Sequence, residues 1–149
     1  MCQDETVGDL DLSVGYALKQ AATALRSAMD AALRPSGLTV PQYACLELLG
    51  QRPGLSNADL ARGAFVSRQA MNGVLRGLQD RGLVSRPVIA AHGRALPTQL
   101  TPAGGEQLHR ASAAVHAIEQ RMLSGLPAGA QSRLRQDLAS CVTALTSRH

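Results

Sequence analysis

Apolar residues recur at Val14, Leu18, Ala22, Leu25, Met29 and Leu33, in steps of three and four that form one helical stripe. The spacing predicts a helix from about Ser13 to Arg34, broken by Pro35-Ser36-Gly37. In the stretch Leu38 to Tyr43, Thr39 and Gln42 have the spacing of a capping box, and Leu38 and Tyr43 that of a hydrophobic staple. A second helix follows through Leu46, Leu48 and Leu49 and ends at Gly50. The same pattern returns after Arg52-Pro53-Gly54: Ser56 caps with Asp59 three residues on, and Leu55 and Leu60 form the staple. That helix is short, stopping near Gly63. The turn Ala64-Phe65-Val66 leads to Ser67, a third cap, and a helix that turns Ala70, Val74, Leu75 and Leu78 inward and stops at Arg81-Gly82.

Between Leu83 and Leu100 the period changes. Val84, Val88 and Ile89 precede Ala90-Ala91-His92-Gly93-Arg94, and Leu96, Thr98 and Leu100 follow it, which predicts a two-stranded hairpin. Pro87 and Pro97 each remove a ladder donor, so they belong at edge or irregular positions. Thr101-Pro102 restarts helix, with Leu108, Ala111, Val115, Ile118 and Met122 as its stripe. Gly125-Leu126-Pro127 breaks the run, and a last helix carries Leu134, Leu138, Cys141 and Leu145.

Composition supports a mostly α fold. The 149 residues include 24 alanines, no Trp, one Phe and two Tyr, so aliphatic packing between close helices supplies the core. At this length folding buries about 70% of the chain's surface, and neither disulfides nor metals are required. Cys2, Cys45 and Cys141 are odd in number and lack metal-site spacing. The acidic start MCQDETVGDLDL is no signal peptide, and no apolar run approaches a membrane span. The expectation is a reduced, cytoplasmic protein without a membrane partner.

Charge adds a partner. The net charge is +4, but residues 1–40 carry three basic against five acidic side chains, whereas residues 41–105 carry seven Arg against Glu47, Asp59 and Asp80. A basic middle is the footprint of a polyanion-binding core, although a solvated surface gives the same count.

A short helix, a tight turn, a longer helix and a hairpin make a winged helix-turn-helix. The longer helix enters the major groove by its N-terminal residues, and its expected outward face is Ser67, Arg68, Gln69, Met71, Asn72 and Arg76. Gln and Asn can pair bidentately with adenine, Arg with guanine, and Ser can reach phosphate or base.

These features together resemble the MarR family of bacterial regulators. The resemblance rests on LTVPQYACLELL at 38–49, GLSNADLARGAFVSRQAMNGVLRGLQDRGLVSR at 54–86 and LTPAG at 100–104, in the family's order and spacing. It implies a homodimeric winged helix-turn-helix repressor or activator on a pseudo-palindromic operator. The implied domains are an N-terminal dimerisation helix (1–37), a DNA-binding lobe (38–100) and C-terminal dimerisation helices (101–149). The stripes at 14–33, 108–122 and 134–145 suit a dimer interface and equally an intramolecular bundle. In the family each wing tip puts an Arg into the minor groove, a position that Arg94 fits; Arg86 and His92 complete the candidate DNA contacts. The chain departs from the pattern at the tip, where Ala90-Ala91-His92-Gly93-Arg94 lacks the acidic residue common before that Arg. A small lipophilic or aromatic effector is also implied, at residues the sequence does not name.

Other chemistry is poorly represented. Cys45 could sense oxidants, but no sequence neighbour is a Lys or Arg that would activate it, and core packing is the expected role. His109 and His116, seven apart on one helix, cannot hold one metal by themselves, so no metal and no cofactor is expected. No G-x-S-x-G, Walker loop, G-x-G-x-x-G or H-E-x-x-H occurs, and the chain is not expected to be an enzyme. The competing classes are a helical homodimer that docks protein through the winged lobe and a cysteine-based redox sensor.

Overall fold

The computed structural model describes residues 9–86 and 97–147. Six helices form in the predicted order: α1 (Val14–Leu33), α2 (Val40–Gln51), α3 (Asn57–Gly63), α4 (Arg68–Asp80), α5 (Pro102–Leu123) and α6 (Ala128–Thr146). Two short strands, β1 (Val84–Ser85) and β2 (Gln99–Leu100), pair antiparallel with Val84 opposite Leu100.

The caps sit where the sequence places them. Thr39 Oγ1 accepts from the Gln42 N–H at 3.2 Å, and Gln42 Oε1 accepts from the Thr39 N–H at 3.0 Å. Ser56 and Asp59 make the second reciprocal box at the start of α3. Hydrogen bonds from the Ser56 hydroxyl and then its N–H, with Arg62 adding to them, hold the Asp59 carboxyl below the usual Asp range against the opposing effect of desolvation. The contribution of that box is therefore full above the ordinary Asp range and is lost as pH falls through the lowered value. Ser67 opens α4 by accepting from the Ala70 N–H at 3.0 Å, and Ser13 and Thr101 open α1 and α5 in the same way. Each such cap satisfies an otherwise orphaned N–H and contributes about 1 kcal/mol.

The core lies inside the lobe formed by α2, α3, α4 and the β-ladder, roofed by the first half of α5. Leu46, Leu49, Leu60, Met71, Leu75 and Leu78 are fully enclosed, and Leu33 and Ala111 extend the cluster to α1 and α5. Each of the enclosed leucines and Met71 contributes roughly 1.5–3 kcal/mol of burial. One assignment is corrected here: Met71 is buried and Ala70 is exposed, the reverse of the sequence reading. Each helical residue advances the side chain by about 100°, so a stripe of Met71, Val74, Leu75 and Leu78 satisfies the three-and-four spacing as well as one starting at Ala70. Packing against α2 and α3 selects the version that buries the larger side chain.

Outside the lobe, α1 packs along α5, but much apolar surface stays uncovered. Val14 is 79% exposed, Leu145 is 88% exposed, and Leu18, Met122, Leu138 and Val142 are exposed as well. The predicted stripe of α5 is thus enclosed at Ala111, half-buried at Leu108, Val115 and Ile118, and open at Met122. The stripe of α6 is open throughout. Among the described residues no helix is long and apolar enough to cross a membrane.

Candidate DNA-binding surface

The first turn of α4 exposes Arg68, Gln69 and Ala70 on the side away from the enclosed Met71, and a helix N-terminus is a local positive pole. Ser67, Arg68, Gln69, Asn72 and Arg76 are all exposed. Arg68, Asn72 and Arg76 are four residues apart and so form one ridge, each about 6 Å further along the axis. Among the described residues neither Arg68 nor Arg76 has an acidic partner, whereas Arg62 on α3 is paired with Asp59. The unpaired guanidiniums and the Asn72 amide present hydrogen-bonding groups suited to phosphates and base edges.

The other predicted contacts divide. Met71 lies in the core and cannot reach a groove. Arg86 follows β1 and is half-buried. His92 and Arg94 lie outside the described residues, as does the predicted tip of the hairpin.

Three arrangements were not foreseen. Asn57, the first residue of α3, donates from Nδ2 to Asn72 Oδ1 and so orients the middle of the ridge. At the far end of α4, Arg81 donates from Nη1 to the Gly37 carbonyl at 2.9 Å and from Nη2 to the Ser36 carbonyl at 3.1 Å. Gln107 of α5 donates to the same Ser36 carbonyl at 2.8 Å, so the end of α4, the α1–α2 corner and α5 are tied at two carbonyls. Finally, the buried Tyr43 donates its hydroxyl to Glu47 Oε2 at 3.1 Å and lies 3.2 Å from Ser112 Oγ, linking α2 to α5. Burial is the main reason its pKa is raised. These partners are 15 to 71 residues apart or, for Tyr43, depend on one that is, so no local pattern signals them.

Cys45 is fully enclosed, and burial pushes its thiol up to about 12. A thiol held protonated is a poor nucleophile and a slow target for peroxide. Alkylation with iodoacetamide near about pH 8 is therefore expected to spare Cys45 in the folded protein and to label it in urea, read by peptide mass spectrometry. Equal labelling in both states would overturn this, as would peroxide-induced loss of DNA binding that Cys45→Ser abolishes.

Comparison with known proteins places this architecture. The sequence model of the MarR family matches residues 36–95. The HTH-type transcriptional repressor Rv2887 of Mycobacterium tuberculosis is 46% identical over 128 residues, spanning 86% of this chain and 92% of that protein. The chain belongs to the MarR family. Two solved structures of the M. tuberculosis MarR-family protein superpose on it. The complex with DNA has a TM-score of 0.74 at 42% identity, covering 92% of this chain and all (100%) of that one. The complex with salicylic acid has a TM-score of 0.73 at 45% identity, covering 88% and 97%. As a MarR-family member the chain is a DNA-binding transcription regulator, and its relatives are regulators rather than enzymes. The mostly helical winged lobe expected from the sequence is the one these structures share.

Proposed function

We propose that the chain is a homodimeric repressor of a pseudo-palindromic operator, released by a small lipophilic or aromatic ligand. The observation that carries this reading is the solvent-facing ridge of Arg68, Asn72 and Arg76 at the open end of α4, free of acidic partners among the described residues. Residues 1–37 and 101–149 supply the dimer helices and residues 38–100 the DNA-binding lobe. In support, α6 is 19 residues long yet encloses none of its apolar side chains within the chain. A helix so exposed gains little from packing, and propensity alone leaves it marginal in water. A second copy supplies the missing cover for α6 and the outer half of α1. Two-fold symmetry then sets the two α4 helices about 34–36 Å apart, one turn of DNA.

Repression by the M. tuberculosis relative and its complex with salicylic acid support the repressor and aromatic-ligand parts of the reading. A ligand that binds best when the lobes are wrongly spaced shifts the population away from the operator-bound form. The test is fluorescence anisotropy on duplex DNA from upstream of the chain's own gene, against a scrambled duplex, at two salt concentrations. Preference of roughly 10³-fold for the native duplex is expected at physiological salt. Equal and equally salt-sensitive binding to both would leave a lobe that holds DNA without reading this site. Binding to neither would favour a lobe that docks protein.

A further inference from the structure

Phe65 is the chain's single phenylalanine, and its side chain is 94% exposed. It also has a φ of +59°, and among the described residues no other non-glycine residue has a positive φ. The ring adds nothing to folding, since it is in water in the folded and unfolded chain alike, and the positive φ disfavours the folded state by holding a side chain with a Cβ in the left-handed region. Strain of this kind persists where the surroundings impose it, and it concentrates at functional positions.

The surroundings do impose it. Phe65 sits in the turn between α3 and α4, where the Ala64 N–H donates to the Leu60 carbonyl at 2.9 Å and the Val66 N–H to the Ala61 carbonyl at 3.0 Å. Val66 packs against the core cluster, and Ser67 immediately caps α4. The chain must reverse within this turn, so the residue before Val66 takes a left-handed conformation whatever its identity. Glycine would do so without strain. A bulky aromatic here satisfies no folding requirement, yet it stands two residues before Ser67 in the turn that leads into the exposed Arg68 and Gln69.

We infer that Phe65 extends the DNA-reading face by packing its ring on the 5-methyl group of a thymine at the edge of each half-site. This rests on the DNA-reading role proposed for α4. The thymine methyl is the apolar group that base pairs present in the major groove, and phenylalanine is suited to it. Continuity with the polar ridge favours this partner: Arg68, Asn72 and Arg76 meet hydrogen-bonding edges, and the ring at the margin meets the apolar one.

The experiment uses the tightest duplex that the full-length protein selects from a random pool, and repeats binding with each thymine replaced singly by deoxyuridine, which lacks only the methyl. Phe65→Gly is expected to raise the melting temperature, because the turn no longer holds a Cβ, and to weaken binding roughly three- to tenfold. One deoxyuridine per half-site should weaken the wild type by a similar factor and leave the Gly variant unaffected. Phe65→Asn, which also tolerates the left-handed region, should match Phe65→Gly in binding. If Phe65→Gly binds as tightly as wild type while Arg68→Ala binds poorly, the Phe65 contact is wrong and the reading of α4 stands. If Phe65→Gly weakens binding but no deoxyuridine position becomes silent in it, the thymine assignment is overturned. If the pool yields no preferred duplex, both readings fall.

Discussion

Replacing Gly104 by alanine is expected to lower the melting temperature by about 5–10 °C, whereas the same change at Gly105, its neighbour, leaves it unchanged or raises it slightly. Gly104 is buried in the first turn of α5, and a Cβ built there would lie 2.0 Å from the Leu83 carbonyl oxygen and 3.0 Å from its carbon. Those are backbone atoms and cannot swing aside. The same carbonyl accepts from the Thr101 N–H at 3.1 Å, so moving it disturbs the junction between the ladder and α5. Overpacking of this kind costs about 1–3 kcal/mol and more where nothing relaxes. For a chain of this size each kcal/mol moves the midpoint by about 2–4 °C. A Cβ at Gly105 meets nothing within 4 Å, and alanine is better than glycine in a helix by up to about 1 kcal/mol. Scanning calorimetry of both variants at one protein concentration decides it, since a dimer's midpoint depends on concentration. Equal midpoints for the two would mean that α5 does not seat on Leu83 as described.

On a selected operator, Arg68→Ala and Asn72→Ala should each weaken binding by roughly 10- to 100-fold and flatten the preference over scrambled DNA. That is the scale of about 1–3 kcal/mol carried by a bidentate base contact. Arg94→Ala, if its guanidinium meets phosphate or the minor groove generally, should weaken both duplexes alike and reduce the salt slope by about one. Met71→Ala separates the two kinds of α4 residue. It should lower stability, as expected for an enclosed side chain, without changing which sequence is preferred. Anisotropy against salt on both duplexes reads all four. Unchanged affinity in the Arg68 and Asn72 variants would remove the ridge from the interface.

Most of the local structure was legible because it is written locally. Thr39 with Gln42, and Ser56 with Asp59, carry donor and acceptor three residues apart, and each box formed as spaced. The stop after α4 is equally local, with Gly82 at a φ of +72°. What the sequence blurred was a rotation. Ala70 and Met71 both extend an acceptable stripe, and only the shape of the groove between α2 and α3 distinguishes them. The LTPAG motif was visible as a pattern, but the reason for its glycine needed the Leu83 carbonyl that it faces across the fold. Asn57 and Arg81 were silent because their partners are 15 and 44 or more residues away. The terminal stripes promised burial without saying in what, and within one chain those of α6 and the start of α1 remain open.

The tie at Ser36 and Gly37 makes α4 a lever. Its 13 residues form a rod about 20 Å long, seated in the lobe by Met71, Leu75 and Leu78 and tied just past one end by Arg81 to the corner before α2, with the exposed Arg68 at the end away from that anchor. A turn of only ~10° about the anchored end would sweep the tip by about 3.5 Å, close to the rise of one base step along a DNA strand. The anchor is shared with Gln107 of α5 and with the corner that follows α1. A small rotation of those helices that carries the lobe as a unit would therefore be magnified at the Arg68 end, enough, on the role proposed for α4, to change which base pair each side chain meets without any bend inside the lobe.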